Sequence, residues 1–170
     1  AVVGVVQADG GLILPDFAAE ERVFQLLLQV TGRVGRDEKL SKIVVQTFQP
    51  ESEAIQSALK RNYDEFYQYT VAKRKHDGFP PFTYLLKLTN VYKTEAGAVN
   101  AARDLKAQIQ KKAPKSVQIL GPSPAFYERA HGTYRWQIIV KSSQRGDLLD
   151  IAKLVPDTRW QVELDPISLL

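Results

Sequence analysis

The chain has 170 residues, of which 44% are hydrophobic and 25% charged, so it has the composition of a globular protein with one domain or slightly more. It contains no cysteine, which excludes a disulfide scaffold and a thiolate metal site. His76 and His131 lie far apart and lack a carboxylate cluster at ligand spacing, so we expect no metal site. No apolar run reaches membrane-spanning length, and the net charge of +4 only weakly favours an anionic partner.

The first fifty residues have the strand–helix–strand order of an α/β layer. Residues 1–6 predict a buried strand, residues 18–31 a helix, and residues 43–48 a strand rich in β-branched residues. No turn precedes the first strand, so we expect the chain to begin inside a larger domain. The helix would face a core with the apolar residues Val23, Phe24, Leu27, Leu28 and Val30.

The stretch from Gln29 to Arg36, with the sequence Gln-Val-Thr-Gly-Arg-Val-Gly-Arg, is the most informative one. Arg33 and Arg36 are three residues apart, and each directly follows a glycine, Gly32 or Gly35. Guanidinium groups are planar charged forks suited to phosphate oxygens, and a preceding glycine lets a bulky ligand approach the backbone. One such group aimed at a γ-phosphate would act as an arginine finger. The alternative is a solvated basic loop, and the spacing of the glycines and arginines alone favours neither interpretation.

Residues 53–76 predict one long amphipathic helix, because apolar residues recur at spacings of three and four. The stretch Gly78-Phe-Pro-Pro-Phe82 would end it. Basic residues lie near Tyr63, Tyr67 and Tyr69, a mixture that can hold single-stranded nucleic acid by charge and stacking. The alternative, which general experience favours, is that the aromatic rings pack inward and the charges form the solvated face.

Residues 82–170 predict the order β-α-β-β-α-β of a split βαβ, ferredoxin-like sandwich. We expect strands at 82–92, at 117–120 and 125–128 as an interrupted pair, at 134–140 and at 160–164. Thr94 would cap a helix whose apolar face consists of Ala98, Ala102, Leu105 and Ile109, and a short helix would cover 147–154. This fold hosts many unrelated functions and decides none.

The predicted hairpin carries candidate contacts for nucleic acid, namely Arg129, Tyr134, Arg135 and Lys141, which offer charge and ring surfaces for phosphates and bases. Tyr134 and Trp136 share one face of a strand while Arg135 points away, so either Trp136 fills the core or it is exposed for stacking. Arg145 directly precedes a predicted helix start, where free backbone N–H groups attract anions such as an acidic partner tail.

Several segments together resemble the primosomal protein N′ family of bacterial replication-restart DNA helicases. Motifs V and VI of superfamily 2 helicases are matched by Gly4-Val-Val-Gln-Ala-Asp9 and by Gln29-x-x-Gly-Arg-x-Gly-Arg36, joined by Leu14-Pro-Asp-Phe17. The family's C-terminal domain is matched by Gly78-Phe-Pro-Pro-Phe82, Leu120-Gly-Pro-Ser-Pro124, Tyr134-Arg-Trp-Gln137 and Asp165-Pro166. The match covers the whole chain in the right order.

The resemblance implies that residues 1–50 are the C-terminal part of a RecA-like helicase lobe. Residues 51–81 would be a long connecting helix with a proline-rich turn, and residues 82–170 would be a C-terminal domain that binds DNA and partners. Gln29, Arg33 and Arg36 would face ATP across a cleft, with Arg36 on the γ-phosphate. Gly32 and Gly35 would permit the close approach, and Asp9 would couple the nucleotide to DNA. Ala18 stands where relatives usually carry arginine, which puts that one contact in doubt.

The chain lacks a Gly-x-x-x-x-Gly-Lys-Ser/Thr phosphate loop and an apolar strand ending in the Asp-Glu magnesium motif. Phosphoryl transfer needs these groups beside the arginine, so we expect no ATP hydrolysis by this chain alone. The resemblance implies ATP and Mg²⁺ in the full-length 3′-to-5′ helicase, and zinc in a cysteine-rich insertion outside this chain.

The implied partners are forked and single-stranded DNA, the single-stranded DNA-binding protein and other primosome proteins, in the cytoplasm and without a membrane. Two alternatives lack catalysis. One is a nucleic-acid-binding module, in which Arg36 would be tied into an internal salt bridge or lie beside Arg135. The other is an adaptor with an exposed apolar patch between Ile55 and Val71.

Overall fold

The chain forms two compact units that divide between His76 and Asp77. The computed structural model describes residues 2–33, 42–130, 132–156 and 158–170, with Arg33 and Ala130 as backbone only. No helix in these described ranges is both long and apolar enough to cross a membrane. Each unit has its own hydrophobic cluster.

The first unit contains a parallel strand pair and a helix between the two strands. Strand β1 (Val2–Val5) pairs with β2 (Lys42–Val45), and a short 3₁₀ helix (Ala8–Gly11) follows β1. Helix α1 (Ala19–Arg33) begins after Asp16, whose Oδ1 accepts a hydrogen bond from the backbone N–H of Ala18 at 3.0 Å. The other carboxylate oxygen of Asp16 pairs with Arg22 at 2.6 Å, which holds this cap in place.

The single helix predicted for 53–76 is wrong, since the structure has two helices, α2 (Glu53–Lys60) and α3 (Tyr63–Asp77). Arg61 adopts a left-handed conformation with φ of 54°, which ends α2. The side chain of Asn62 then caps α3, because its Oδ1 accepts from the N–H of Glu65 at 3.1 Å and its Nδ2 donates to the Glu65 carboxylate at 2.9 Å. The Asn62 side chain therefore caps the first turn of α3 and starts a new helix, although the apolar spacing continues from α2 without interruption.

The cluster of the first unit joins α1, α2 and α3 through stacked rings. The Phe24 and Phe66 rings lie 4.0 Å apart between centroids and are nearly parallel. Tyr63 and Tyr67, by contrast, are 60% and 50% exposed, so these two aromatic rings do not pack inward. The cluster consists of Val23, Phe24, Leu27, Ala54, Ile55, Ala58 and Phe66, with Leu28 half-buried against it and Val30 outside it.

The second unit has the predicted order β-α-β-β-α-β. Its elements are β3 (Tyr84–Tyr92), α4 (Glu95–Lys112), β4 (Gln118–Ala130), β5 (Thr133–Ser142), α5 (Arg145–Ala152) and β6 (Trp160–Leu164). The sheet order is β4-β5-β3-β6 and the described pairs are antiparallel. This mixed α/β arrangement is compatible with the predicted ferredoxin-like sandwich. The Thr94 cap is confirmed, since its hydroxyl accepts from the N–H of Gly97 at 3.2 Å.

Strand β4 is continuous through Gly121-Pro-Ser-Pro124, where the sequence predicted an interruption between two short strands. Its pairing with β5 continues across two register shifts, between Leu120 and Ser123 and between Pro124 and Arg129. Gly121 makes the first shift possible, because it has a φ of +89° and an added Cβ would lie 2.9 Å from the carbonyl oxygen of Gln137. A bulge therefore absorbs the turn-forming residues without ending the strand.

The core of the second unit lies between one face of the sheet and helices α4 and α5. Alternate residues of β3 and β5 face it, and Trp136 packs against it half-buried, which answers the question about that ring in favour of the core. The predicted apolar face of α4 is confirmed, since all of its members are buried. The core consists of Leu86, Leu88, Ala102, Leu105, Ile109, Ile138, Val140, Leu148, Ile151 and Trp160.

We predict that Gly121→Ala destabilises the second unit by more than about 1 kcal/mol, since positive φ alone costs an L residue roughly 1–2 kcal/mol. Both tryptophans, Trp136 and Trp160, lie in this unit, so denaturant unfolding followed by tryptophan fluorescence reports on it directly. The control is Gly146→Ala, because a Cβ there meets no described atom within 4 Å and alanine favours helix. Equal stability of the two variants would contradict the role of Gly121.

Candidate functional site

The exposed face near the end of α1 carries two of the predicted nucleotide contacts. Gln29 and Gly32 are three residues apart on the helix, and both are exposed. A Cβ built on Gly32 meets no described atom within 4 Å, so the backbone there is open to approach. The neighbouring Thr31 is 2% exposed, and its carbonyl oxygen accepts a hydrogen bond from the guanidinium of Arg61. The end of α1 is therefore held by Arg61 on one face, and it is exposed to solvent on the face with Gln29 and Gly32.

Gly35 and Arg36 lie outside the described residues, and so does the side chain of Arg33. Their contact with a phosphate, and the choice between an open and a salt-bridged Arg36, stay predictions.

Asp9, predicted to couple nucleotide to DNA, ties the loop after β1 to the loop after β2. Its carboxylate accepts hydrogen bonds from the hydroxyl of Thr47, from the N–H of Phe48 at 2.8 Å and from the N–H of Gln49 at 3.1 Å. The Thr47 hydroxyl, opposed by burial and helped by the two backbone N–H groups, holds the pKa of Asp9 below its ordinary value. In this structure Asp9 therefore acts as an internal brace.

The face of the sheet opposite α4 and α5 carries polar side chains. Lys87 and Thr89 on β3 alternate with core residues, and each is 6% exposed. The register places Gln137 of β5 and Gln161 of β6 on either side of Thr89, on the same face. We call this surface the polar sheet face and define it as Lys87, Thr89, Arg135, Gln137, Gln161 and Glu163.

Lys87 is held by two groups at the polar sheet face. Its ammonium donates to the carbonyl oxygen of Leu170 at 2.7 Å and lies 3.8 Å from a carboxylate oxygen of Glu163. Charged groups this deeply buried are rare unless they are paired, and these two partners account for the burial of Lys87.

The predicted hairpin contacts divide between the two faces of the sheet. The guanidinium of Arg129 lies over the ring of Tyr134 at 4.8 Å from its centroid, and the two residues are directly paired across β4 and β5. Arg135 points to the opposite face, as the alternation predicted. Arg129 is exposed, whereas the Nε of Arg135 is buried. Arg129 and Tyr134 therefore form one surface, and Arg135 belongs to the other.

Lys141 and Arg145, the other predicted contacts, are both engaged within the second unit. Lys141 is 5% exposed; its ammonium donates to the carbonyl oxygen of Asp77 at 3.0 Å and lies over the ring of Phe79 at 3.5 Å. Burial lowers the pKa of Lys141, while the charge of Asp77 opposes that shift. Arg145 is the first residue of α5, not the residue before it, and its Nε donates to Asp165 at 3.1 Å with its side chain 56% exposed.

Comparison with known proteins decides the family. Residues 75–167 match the sequence profile of the primosomal protein N C-terminal domain. The chain belongs to the PriA family. The replication restart protein PriA of Bacillus subtilis (strain 168) is 35% identical over 154 residues, which are 91% of this chain and 19% of that protein. The PriA proteins of Synechocystis (32% identity, 99% of this chain and 21% of the relative) and Haemophilus influenzae (34%, 85% and 20%) are similar to it as well.

The chain thus spans about a fifth of the length of these PriA relatives. The matched PriA profile covers most of the second unit, including the paired Arg129 and Tyr134 and all six residues of the polar sheet face. Both surfaces are therefore features of the PriA C-terminal domain in this chain.

Sequence reasoning missed two further residues at the hairpin, Phe126 and Tyr127, which are 42% and 65% exposed. Their rings pack edge to face, with centroids 5.0 Å apart. Adjacent strand residues normally point to opposite faces, but these two lie within the second register shift of β4. The available signal was two consecutive aromatic residues in a stretch predicted to be a strand.

In the part of the chain that the structure describes, no group of three His, Asp or Glu side chains could hold a metal ion.

We predict that the backbone amide resonances of Phe48 and Gln49 shift in an NMR titration with a midpoint below pH 3.8, the ordinary pKa of an aspartate. The lowered pKa means that Asp9 stabilises the fold fully above this value and loses its contribution as the pH falls through the lowered pKa. Asp9→Asn abolishes the transition, and Asp150→Asn, an exposed acid in the other unit, leaves it intact. A midpoint above pH 3.8 would contradict the stabilisation of the Asp9 carboxylate by these hydrogen bonds.

Proposed function

We propose that this chain is part of an ATP-dependent 3′-to-5′ DNA helicase that recognises stalled or branched forks and restarts replication by primosome assembly in the cytoplasm. Membership in the PriA family supports the proposal, as do relatives named replication restart proteins. The activity is that of the whole protein, because this chain spans about a fifth of those relatives.

In this proposal residues 1–50 belong to a RecA-like lobe. The parallel pairing of β1 and β2 around α1 supports that assignment. Arg33 and Arg36 act as the arginine finger on ATP, with Gln29 beside them and Gly32 and Gly35 allowing the close approach. The open backbone at Gly32 and the exposed side chain of Gln29 favour such an approach.

ATP, Mg²⁺ and zinc complete the proposed full-length enzyme. The phosphate loop, the magnesium ligands and the cysteine-rich insertion for zinc would come from outside this chain. The arginine then neutralises charge on the phosphoryl group as it departs.

The second unit is proposed to bind forked and single-stranded DNA. The observation that carries this is the exposed Arg129 stacked on Tyr134 at 4.8 Å, with the exposed rings of Phe126 and Tyr127 on the same strand. Guanidinium groups attract phosphates, and aromatic rings stack with the bases of single strands. Lys141 would have to leave its bond to Asp77 to reach a phosphate, so Arg129 is the stronger candidate.

Arg145 is proposed to bind the acidic tail of the single-stranded DNA-binding protein. Its side chain is 56% exposed and its present partner, Asp165, is a carboxylate. The pair with Asp165 supports an acidic ligand because it presents this guanidinium to a carboxylate, and an incoming tail carboxylate would take the place of Asp165.

A second candidate is a contact surface for another primosome protein on α2 and α3. Leu59, Tyr63 and Tyr67 are 43%, 60% and 50% exposed, and the two tyrosine rings lie 6.1 Å apart. An exposed patch of this kind is what the adaptor alternative requires. A helicase and an adaptor differ in whether Arg36 matters for ATP turnover.

We predict that Arg36→Ala in the full-length protein lowers DNA-stimulated ATP turnover by about 10³- to 10⁵-fold, the usual effect of an arginine finger. DNA binding is retained, because the finger acts on the nucleotide. Gln25→Ala, an exposed position on α1 one turn before Gln29, is the control and keeps full turnover. Wild-type turnover in the Arg36 variant would remove the motor assignment.

We predict that Arg129→Ala reduces the salt dependence of DNA binding by about one phosphate contact, that is, a slope smaller by roughly 0.7 for single strands and 0.9 for duplex. The measurement is affinity by fluorescence anisotropy across salt concentrations. Lys115→Ala removes the same charge before the first residue of β4, at the end opposite the hairpin, and leaves the slope unchanged. An unaltered slope for Arg129→Ala counts against the hairpin.

A further inference from the structure

A cavity of about 210 Å³ opens at the polar sheet face of the second unit. Arg135 enters it from β5, Thr89 from β3 and Glu163 from β6, so three adjacent strands contribute to its wall. Pockets for drug-sized ligands measure about 300–1,000 Å³, so this cavity suits a smaller group.

The cavity contains polar groups that lack partners. The Nε of Arg135 and the Oγ1 of Thr89 are both buried and make no hydrogen bond to any described residue. Thr89 as a whole is 6% exposed. Buried polar atoms in folded proteins are almost always hydrogen-bonded, so an unpaired donor and hydroxyl in one cavity point to a ligand that pairs with them.

The charges around the cavity decide what kind of ligand fits. Arg135 and Lys87 are cationic, but the carboxylate of Glu163 also lines the wall and lies 3.8 Å from the ammonium of Lys87. A phosphate would be repelled by that carboxylate. A neutral group with acceptors on one edge and donors on another is favoured, since it can use the arginine and the glutamate together.

Aromatic side chains complete the cavity. Phe126 and Tyr127 line it from β4 and remain 42% and 65% exposed, so their rings offer stacking surface at its mouth. Stacking on aromatic rings is the common way in which proteins hold unpaired bases.

We propose that this cavity binds one unstacked guanine base of single-stranded DNA. Arginine pairs with the O6 and N7 acceptors of guanine, and the N2 amino group is a donor that a carboxylate accepts. Arg135 and Glu163 lie on strands at opposite sides of β3 and are offset along it by four residues, since Arg135 pairs with Val91 and Glu163 with Lys87. Their backbones are therefore roughly 17 Å apart, and a base held above Thr89, between the two, is within reach of both long side chains. The proposal rests on the proposed binding of DNA by the second unit and adds a base preference to it.

The test compares single strands that differ in one atom group. The probes are labelled oligothymidines of roughly 15 nucleotides, within the usual site size for single-strand binders. One has thymine throughout, and the others carry a single central guanine, 7-deazaguanine or hypoxanthine. Removing N7 takes away an acceptor for Arg135, and hypoxanthine lacks the amino group for Glu163. We expect the guanine probe to bind about tenfold more tightly than oligothymidine, and both analogues to lose most of this gain.

Protein variants test which side chain contacts which edge of the guanine base. Arg135→Ala removes the donors to N7 and O6, so this variant binds guanine and 7-deazaguanine equally. Glu163→Ala binds guanine and hypoxanthine equally. Arg103→Ala, which removes an exposed arginine on α4 at the other side of the sheet, keeps full discrimination. Tryptophan fluorescence confirms the fold of each variant, and the two independent variants guard against loss of folding in one.

The outcomes separate this proposal from the broader one. No binding of any oligonucleotide overturns the proposed DNA-binding function and the pocket with it. Equal, measurable binding of all four probes overturns the guanine pocket and leaves DNA binding in place. Free dGMP binding as tightly as the guanine oligonucleotide, or tighter binding of the matching RNA, overturns the assignment to a DNA strand.

Discussion

The buried side chain of Asn90 holds the second unit in register. It lies on the core side of β3, fully buried, where its Nδ2 donates to the carbonyl oxygen of Ala98 at 2.8 Å and its Oδ1 accepts from the N–H of Trp136 at 3.1 Å. One amide thus connects the central strand to α4 and to β5. A shift of one residue would turn Asn90 away from both of its partners and would turn Lys87 toward the helices, both at high cost.

This register explains why the two faces of the sheet differ in chemistry. Core residues of β3 and β5 cover one face, and the polar sheet face with Arg135 and Lys87 lies on the other. Arg129 and Tyr134 lie across the sheet from Arg135. A rigid duplex cannot contact the Arg129–Tyr134 surface and the polar sheet face at the same time, because they lie on opposite faces of the sheet. A flexible single strand can pass around the hairpin from one face to the other. The proposed DNA and base contacts are therefore compatible with a single strand.

The first unit relies on side-chain to backbone hydrogen bonds where its elements end. Asp9 holds the loop after β2, Asp16 caps α1, Asn62 caps α3, and Arg61 binds the carbonyl of Thr31. Each bond satisfies backbone groups that a helix or strand end would otherwise leave unpaired. These local braces shape the exposed face that carries Gln29 without using Gln29 itself.

The sequence by itself determined the family, the order of elements in the second unit, the apolar face of α4 and the bounds of β6, since ordered motifs and local periodicity carry that information. It also predicted that Arg135 and Tyr134 face opposite ways, because alternation along a strand is local. Only the tertiary structure decided that Lys141 is buried against Phe79, that β4 runs on through its glycine and prolines, and that Arg135, Thr89 and Glu163 share a cavity. Each of these three features depends on contacts between residues that are distant in sequence. The periodicity of one segment does not specify which other segments pack beside it.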